Sequence, residues 1–544
     1  MAYNDYGKIK ALIIDDFDNF RMTVSKLLQD FGAHDVVTAI NGEDAMKQCR
    51  SREFDLVLCD YNLGSGKNGH QVLEELRVNK LLKHQSLFLL VSADSSKNIV
   101  LAAYDYEPDA YLTKPITGKT LRQRLDRLLA QRDDMAAIHK CLDEDNSTGA
   151  IAEAQAKIAA NSRYTAAYQK ILGGLLLQEQ RYDEAEALFK QVLEVRPLDW
   201  AQVGLAKVKQ FQGDLETSQD WLRKIIEKNP FCMQAYDALV DNCRRKEDSE
   251  AEQAVLQTAV DMSPMSILRQ QSLAQVADEN NDVEVAARAL HKTVKLGKNS
   301  CQDKVENHIA FARSTAALFK ENAKLANDFS REAMRVLDES SRKFQLSHDM
   351  EVQTQLLESQ ICAGKGDTQK AKTLLEETEQ QLAEQSLELD LDTKLDLITS
   401  YRATGQKEKA KEELACLVEE YRNDEEALRK IDRLLDEPLS EDNRQRVAAI
   451  NSEGIGAYKK REYQRAIDCF MRAKRLFPNH VGVHLNLVQA LVGEMREYGV
   501  DDDLMENCLN TMEKVRTQIE SSHKQFNRFL QLQDMVRTLE RESK

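Results

Sequence analysis

The pattern of hydrophobic residues changes near residue 130 and divides the chain into two kinds of structure. Before that point, five short aliphatic runs occur at Lys10–Asp15, His34–Thr38, Asp55–Cys59, Ser86–Val91 and Ala110–Thr113. Amphipathic stretches follow them at 18–31, 42–51, 69–81, 96–103 and 118–131. Strands that alternate with helices predict a buried parallel sheet with helices on both faces, in an α/β fold of doubly wound (βα)5 topology.

After residue 132 the strands stop, and one amphipathic helix follows another. Three prolines, Pro197, Pro230 and Pro264, are spaced 33 and 34 residues apart, and the residues before them also repeat. Leu172, Gly173, Ala185 and Phe189 before Pro197 correspond to Leu205, Ala206, Ser218 and Leu222 before Pro230; near the C-terminus the pattern returns as Gly454, Ala466, Phe470, Ala473 and Pro478. Small residues at the eighth and twentieth positions let two helices approach closely, and the proline ends the second helix. The pattern resembles the tetratricopeptide repeat (TPR) of ~34 residues, which implies an all-α superhelical solenoid.

The domain division that we predict has four parts. Residues 1–132 form the α/β domain, 133–298 form TPR-like repeats, 299–437 form irregular TPR-like repeats, and 438–544 form C-terminal repeats and capping helices. In the irregular part, the candidate repeat cores are Ala371–Leu375 and Ala410–Leu417, each of which follows a turn that contains glycine. Pro438 is predicted to lie in a break between two sub-arrays.

Charge and cysteine usage narrow the classes of partner and compartment. The formal net charge of −16 disfavours binding of nucleic acid or of anionic membranes, because both are polyanions. The ten cysteines form no CxxC pair, which indicates reduced thiols. The first residues do not resemble a signal peptide, and no apolar run approaches the ~18 residues of a transmembrane helix. We therefore expect a cytoplasmic protein.

Polar residues end four of the predicted strands. Asp15 and Asp16 follow the first strand, Asp60 the third, Ser92 the fourth and Lys114 the fifth. In a doubly wound sheet the carboxyl ends of the strands form the ligand site, so these side chains are expected to meet. Three converging carboxylates repel one another unless a cation is bound, and a hard ion such as Mg²⁺ suits carboxylate ligands.

The segments that carry these residues resemble the response-regulator receiver family. They are Ile13-Ile-Asp-Asp-Phe17, Val57-Leu-Cys-Asp60, Leu90-Val-Ser-Ala93 and Tyr111-Leu-Thr-Lys-Pro115. The resemblance implies a flavodoxin-like fold with Asp60 as the phosphorylated aspartate, Ser92 and Tyr111 as switch residues, and a Lys114–Pro115 bond that is cis. It also implies Mg²⁺ bound by Asp16, Asp60 and the Asn62 carbonyl, with Asp15 acting mostly through water, and Asn62 and Asp94 positioned to orient a hydrolytic water. The sequence departs from the family at Leu63–Gly64, where Met-Pro is common, and this departure leaves the loop conformation open.

The resemblance also implies a function. A histidine kinase or phosphotransfer protein would phosphorylate Asp60, and the phosphorylation would switch the protein–protein interactions of the TPR array. The chain would then be a regulator with slow self-dephosphorylation rather than an enzyme, and the receiver could form a homodimer. The junction from Met135 through Ile158 looks continuous with the last receiver helix, and we expect it to transmit the signal.

Four alternatives remain open. Gly64-Ser-Gly-Lys-Asn-Gly69 fits a GxGxxG dinucleotide motif, although an active-site loop is favoured because the segment directly follows Asp60. His480 and His484 could form a metal pair, although histidines on a repeat face are favoured. The chain could instead be a signalling enzyme with a catalytic domain in 300–440, which activity screening of that fragment would detect. It could also be a repeat protein that binds nucleic acid, which a salt-dependent shift with RNA or DNA would reveal.

Overall fold

The computed structural model describes residues 6–93, 106, 108–385, 388–519 and 521–542. The chain divides into two compact units: unit 1 comprises residues 1–276 and 285–307, and unit 2 comprises 277–284 and 308–544. Among the described residues, we find no helix that is both long enough and apolar enough to span a bilayer.

The N-terminal part of unit 1 is a five-stranded parallel sheet in the order β2-β1-β3-β4-β5. Its strands are β1 (Lys10–Ile14), β2 (Asp35–Ala39), β3 (Leu56–Asp60), β4 (Leu87–Ser92) and β5 (Ala110–Thr113). Its helices are α1 (Asp18–Asp30), α2 (Gly42–Ser51), α3 (Gly69–Val78) and α4 (Gly118–Asp134). The predicted fold class is therefore confirmed. The helix predicted at 96–103 lies outside the described residues.

Both faces of this sheet are buried, which explains why its strands are continuous hydrophobic runs. Leu12 and Ile14 of β1 join one core cluster beneath α2 and α3, whereas Ala11 and Ile13 join a second cluster beneath α1 and α4. Every residue of β3 and β4 is buried. The carboxyl ends of β1, β3 and β4 therefore lie at one edge of a sheet that is covered on both sides.

The rest of the described chain is helical. The helices of unit 1 that follow are α5 (Ala136–Asp143), α6 (Ser147–Ala159), α7 (Thr165–Gln178), α8 (Tyr182–Val195), α9 (Asp199–Phe211), α10 (Leu215–Lys228), α11 (Met233–Arg245) and α12 (Ser249–Met262), and then come α13 (Ile267–Glu279) and α14 (Val283–Gly297), which the division into units crosses. The helix α15 (Val305–Leu318) begins in the last residues of unit 1 and continues into unit 2. The other helices of unit 2 are α16 (Ala323–Lys343), α17 (His348–Gly364), α18 (Thr368–Gln385), α19 (Leu391–Ala403), α20 (Lys407–Glu420), α21 (Glu425–Ile431), α22 (Glu441–Lys459), α23 (Tyr463–Leu476), α24 (Val481–Tyr498), α25 (Asp502–Gln518) and α26 (Phe526–Glu542). Short 3₁₀ turns occur at Tyr6–Lys8 and Asp432–Leu434.

The repeated prolines and small residues have the structural roles predicted for them. Pro197, Pro230, Pro264 and Pro478 each lie two residues after the last residue of a helix. At Gly173 of α7 an added Cβ would lie 2.5 Å from Cε1 of Phe189, and at Gly204 of α9 it would lie 2.4 Å from Cζ of the same ring. Phe189 thus fills a space that exists because two neighbouring helices carry glycine there.

Two features in the later helices also match the sequence pattern. Gly366 and Gly405 adopt left-handed φ values of 86° and 83° in the turns that precede α18 and α20. Pro438 lies in the nonhelical segment between Leu434 and Glu441.

The predicted continuity between the last helix of the sheet domain and the array was wrong. The helix α4 ends at Asp134, and α5 begins at Ala136 after Met135, whose φ and ψ are −93° and 4°. At this break the Tyr168 hydroxyl donates to the Asp134 carbonyl at 2.6 Å and to its carboxylate at 3.0 Å. Met135 itself is buried in the core of the first helical hairpins, so tertiary packing interrupts the helix.

Candidate functional site

Three carboxylates meet at the carboxyl edge of the sheet. Asp15 and Asp16 directly follow β1, and Asp60 is the last residue of β3. One oxygen from each lies within 4.8 Å of those of the other two. Asp15 and Asp60 are buried, and Asp16 is exposed to solvent. Neighbouring parallel strands end at the same edge, so residues 45 positions apart in sequence become neighbours.

The Lys114 ammonium lies between two of these carboxylates. Its Nζ is 2.8 Å from Oδ2 of Asp15 and 3.1 Å from Oδ2 of Asp60, and it stacks 4.2 Å from the ring centroid of Phe20. Burial alone would lower the pKa of Lys114, but its hydrogen bonds to Asp15 and Asp60 raise the pKa above its ordinary value. The Lys114–Pro115 peptide bond is cis.

The charge of this cluster is not balanced. Burial raises the pKa of Asp60 to about 6; contact with Lys114 opposes this rise, and the charges of Asp15 and Asp16 add to it. One ammonium thus faces three carboxylates. Carboxylate oxygens are the preferred ligands of hard divalent cations, so the donor set fits an ion such as Mg²⁺.

Of the two predicted switch residues, Ser92 lies at this edge and Tyr111 lies within β5. Ser92, the last residue of β4, is buried and is paired in register with Thr113 of β5. Tyr111 of β5 is half-buried and packs against the core cluster beneath α3. Asn62 is exposed, and its Oδ1 accepts a hydrogen bond from the Gly64 amide at 3.3 Å. Asp94 lies outside the described residues.

Local backbone geometry explains why glycine occupies each of the three positions of the GxGxxG segment. Gly64 and Gly66 adopt φ values of 74° and 106°, which disfavour residues with a Cβ. Gly69 begins α3 so close to β3 that an added Cβ would lie 2.1 Å from the Asp60 carbonyl oxygen. The Gly69 amide also donates to the Tyr61 carbonyl at 2.8 Å. We therefore interpret the segment as the loop that holds α3 against the carboxylate cluster.

Residues at the start of α1 make contacts with the cluster that the sequence did not predict. The Phe17 amide donates to Asp15 Oδ1 at 2.8 Å, and the Arg21 guanidinium donates to the Asp15 carbonyl and to the Asp18 carboxylate. Phe20 provides the ring under Lys114. The sequence predicts these roles only weakly, because the one indication is that the three residues follow closely after Asp15 and Asp16.

The candidate histidine pair lies elsewhere. His484 is 0% exposed, and its Nε2 is 3.0 Å from the Pro478 carbonyl oxygen. Burial, followed by Lys514 and Lys474, lowers the pKa of His484 to about 3. In the part of the chain that the structure describes, the group with metal-ligand geometry is Asp15, Asp16 and Asp60.

Comparisons with known proteins match both parts of the chain. Residues 11–126 match the family model of the response regulator receiver domain, and residues 176–243 match that of the tetratricopeptide repeat. The chain is 32% identical over 120 residues to chemotaxis protein CheY-3 of Vibrio cholerae, a match that covers 22% of this chain and 91% of that protein. It is 29% identical over 120 residues to chemotaxis protein CheY of Pseudomonas aeruginosa, covering 22% and 95% of the two chains.

A solved structure also aligns with the N-terminal part. Chemotaxis protein CheY4 of Vibrio cholerae is 27% identical; the alignment covers 22% of this chain and 98% of that one, with a TM-score of 0.21.

Proposed function

This chain belongs to the response-regulator family through its N-terminal receiver domain, and we propose that Asp60 is the residue on which that domain accepts a phosphoryl group. The protein is a two-component response regulator, a phosphoacceptor regulator whose TPR region is a protein-interaction module. One observation carries the assignment of Asp60. Its carboxylate is held 3.1 Å from the Lys114 ammonium, within a cluster of three acidic side chains.

The proposed reaction is an in-line transfer to the Asp60 carboxylate. An oxygen of Asp60 forms a bond to phosphorus while the bond from phosphorus to the imidazole nitrogen of a phosphohistidine breaks, and that nitrogen keeps the electron pair. Lys114 offsets the negative charge that builds up on the phosphoryl oxygens, and the Ser92 hydroxyl donates a hydrogen bond to one of them. The donor would be a histidine kinase or phosphotransfer protein.

The carboxylates of Asp16 and Asp60 and the carbonyl of Asn62 would hold Mg²⁺, with Asp15 acting mostly through water. When bound, the ion supplies positive charge that neutralises the carboxylates and the incoming phosphoryl group. The excess of two negative charges over the Lys114 ammonium supports this proposal.

Phosphorylation adds about −1.5 to −2 of charge at Asp60. We expect Ser92 to move toward a phosphoryl oxygen and Tyr111 to turn inward. Asn62 and Asp94 would position the water of a slow self-dephosphorylation. The output would be a change in which proteins the TPR array binds in the cytoplasm, and receiver dimerisation is a further expected consequence.

The four-part domain division of the sequence analysis stays a proposal. The cuts at 132, 298 and 437 can be tested by mild proteolysis of the full chain. Cleavage should begin near 437, in the nonhelical segment between Leu434 and Glu441, because 132 lies within α4 and Lys298 accepts a hydrogen bond from Gln71.

The test of the acceptor is phosphorylation of the full chain by a small acyl phosphate with Mg²⁺, followed by intact mass. The wild type should gain one phosphoryl group, and Asp60→Asn should gain none. Asp30→Asn is the matched control, because Asp30 is an exposed carboxylate at the end of α1. Equal labelling of wild type and Asp60→Asn, or no labelling of the wild type, would contradict the assignment.

The test of the output is capture of partners by the full chain with and without beryllofluoride and Mg²⁺. The set or amount of captured protein should change for the wild type and stay constant for Asp60→Asn. Identical capture by the wild type under both conditions would contradict the proposed control of the array.

A further inference from the structure

The loop that follows Asp60 is hydrogen-bonded to a segment of the same unit that lies more than 200 residues later in the sequence. The Gln71 side chain, in the first turn of α3, donates from Nε2 to the Leu296 carbonyl at 3.0 Å and to the Lys298 carbonyl at 3.1 Å. The Asn299 side chain donates from Nδ2 to the Gly66 carbonyl at 3.3 Å. We call residues 296–302, at and after the end of α14, the docking segment. All of these residues belong to unit 1.

Gln71 joins this contact to the start of α3. Its Oε1 accepts from the Asn68 amide at 3.0 Å, while Asn68 Oδ1 accepts from the Gln71 amide at 2.9 Å, so the two residues form a capping box. The side chain is 6% exposed. One buried amide thus fixes the N-terminus of α3 with its oxygen and holds the docking segment with its nitrogen.

A buried carboxylate lies one turn further along α3. Glu74 is 1% exposed, and its Oε1 accepts from the Tyr106 hydroxyl at 2.8 Å. Cys301 of the docking segment lies beside it: burial raises the pKa of the Cys301 thiol to about 12, and the charges of Glu74 and Glu75 add to the rise. A further negative charge at position 301 would be strongly disfavoured here.

A second contact lies in the loop that follows α3. The amide and Nδ1 of His84, in the loop before β4, lie 3.0 Å and 2.7 Å from Asp143 Oδ1 at the end of α5. The receiver residues Gly66, Gln71, Glu74 and His84 form a surface that we call the α3 face, and the chain's own helical array contacts it at each of these residues.

The position of the loop links this surface to the proposed acceptor. At Gly64 an added Cβ would lie 3.4 Å from Asp16 Oδ2, so the loop passes beside Asp16 at the rim of the carboxylate cluster. Gly66, which contacts Asn299, follows two residues later. Gly69, at the other end of the loop, packs closely against the Asp60 carbonyl. A cation held by Asp16, Asp60 and the Asn62 carbonyl would draw the start of this loop toward the cluster, and that displacement would strain the contact between Gly66 and Asn299.

From this geometry we infer that the α3 face and the docking segment form an intramolecular interface that phosphorylation of Asp60 weakens. The inference rests on the proposed function, and it locates the link between receiver and array at residues 296–302 rather than at the junction near 132. Coupling between two sites is reciprocal. Breaking the interface should therefore favour the phosphorylated state, and the phosphorylated state should loosen the docking segment.

The experiment uses the full chain and hydrogen exchange. Cys301→Glu places a charge against Glu74 and Glu75, and Cys416→Glu is the matched control at an exposed cysteine of unit 2. Asn299→Ala is a milder variant that removes the contact with Gly66 and adds only the small cost of alanine at a φ of 69°. Without ligand, Cys301→Glu should raise deuterium uptake in peptides 66–74 and 296–302, Asn299→Ala should raise it less, and Cys416→Glu should match the wild type.

The second arm adds beryllofluoride and Mg²⁺. Uptake of peptide 296–302 should rise in the wild type, and the beryllofluoride concentration for half-saturation, followed in the peptide that contains Asp60, should fall about five-fold or more in Cys301→Glu. The inference is overturned if beryllofluoride binds the wild type but leaves 296–302 unchanged and gives one half-saturation value for all variants. Failure of beryllofluoride to bind the wild type would instead overturn the assignment of Asp60, and the coupling with it.

Discussion

At the scale of single residues, the acidic cluster determines how the receiver behaves. Asp15 and Asp60 are buried beside a single ammonium, and Asp16 adds a third negative charge at the rim. Such a site favours binding of a cation and acceptance of a phosphoryl group. It lowers the stability of the fold, because like charges in a poorly solvated place repel one another. The strain is expected to be relieved by Mg²⁺ or by removal of one charge.

We predict that Asp60→Asn stabilises the receiver by about 1–3 kcal/mol when Mg²⁺ is chelated, because it removes one of the repelling buried charges. Addition of Mg²⁺ should stabilise the wild type more than the variant, which lacks one ligand. Hydrogen-exchange protection of the β1 and β3 amides measures both effects, with Asp30→Asn as control. A less stable Asp60→Asn receiver under chelation would contradict the prediction.

At the scale of elements, the helical hairpins depend on where glycine occurs. Phe189 of α8 packs against Gly173 of α7 and Gly204 of α9 so closely that a Cβ at either position would clash with its ring. Gly174, the next residue of α7, is exposed and has nothing within 4 Å of an added Cβ. Replacement of these two adjacent glycines by alanine should therefore change stability in opposite directions.

Gly173→Ala should destabilise unit 1 by about 1–3 kcal/mol, because the new methyl group forces the Phe189 ring to move. Gly174→Ala should stabilise it by about 0.5–1 kcal/mol, because alanine loses less backbone entropy in a helix. The two tryptophans of the chain, Trp200 and Trp221, both lie in unit 1 and report its denaturant unfolding. Shifts of the same sign for both variants would contradict this interpretation.

The junction after the receiver is another element whose form depends on one side chain. The Tyr168 hydroxyl bonds both the carbonyl and the carboxylate of Asp134 at the break between α4 and α5, and hydrogen bonds from Lys157 and Ser162 hold the same carboxylate. This network fixes the end of α4 on the first hairpin. We therefore expect the break at Met135 to be rigid.

Tyr168→Phe keeps the buried ring and removes only the hydroxyl. It should cost about 1 kcal/mol in the unfolding of unit 1 and raise deuterium uptake of residues 135–140. Tyr164→Phe is the control, since that hydroxyl is not part of the junction. Unchanged uptake in Tyr168→Phe would show that packing alone fixes the break.

At the scale of the whole molecule, each unit contains a histidine that burial keeps neutral. Burial, and then the charge of His84, lowers the pKa of His139 in unit 1 to about 4, and burial lowers that of His484 in unit 2 to about 3. The unfolded chain has ordinary histidines near pH 6.5 and binds these protons more readily. The stability that these two neutral histidines contribute is therefore complete above about pH 6.5 and falls as the pH drops toward 4 or 3.

For His484 the expected loss between pH 7 and pH 5 is about 2 kcal/mol. His484→Gln, which can still donate to the Pro478 carbonyl, should remove much of the pH dependence of unit 2. The measurement is hydrogen-exchange protection of α24 amides at the two pH values, with the exposed His34→Gln as control. An equal loss in wild type and His484→Gln would contradict the assignment of this loss to His484.

Much of the fold follows from local patterns. The fourth strand was expected at Ser86–Val91 and is Leu87–Ser92, and the second was expected at His34–Thr38 and is Asp35–Ala39. These shifts of one residue arise because strand ends depend on pairing with neighbours. The meeting of Asp15, Asp60 and Lys114 was predictable because parallel strands end at one edge, whatever the loops between them do. The break at Met135 was not, because Tyr168, 33 residues later, takes part in it.

By itself, the sequence determined the α/β receiver, the acidic site at its edge and the helical hairpins, since each depends on periodicity, on strand ends or on small residues at fixed spacing. Only the tertiary structure decided that the α3 face lies on residues 296–302, more than 200 positions away. The physical reason is the chemistry of that contact. Gln71 donates to backbone carbonyl groups. Because every residue has a backbone carbonyl, the sequence does not indicate which residues will accept such a hydrogen bond.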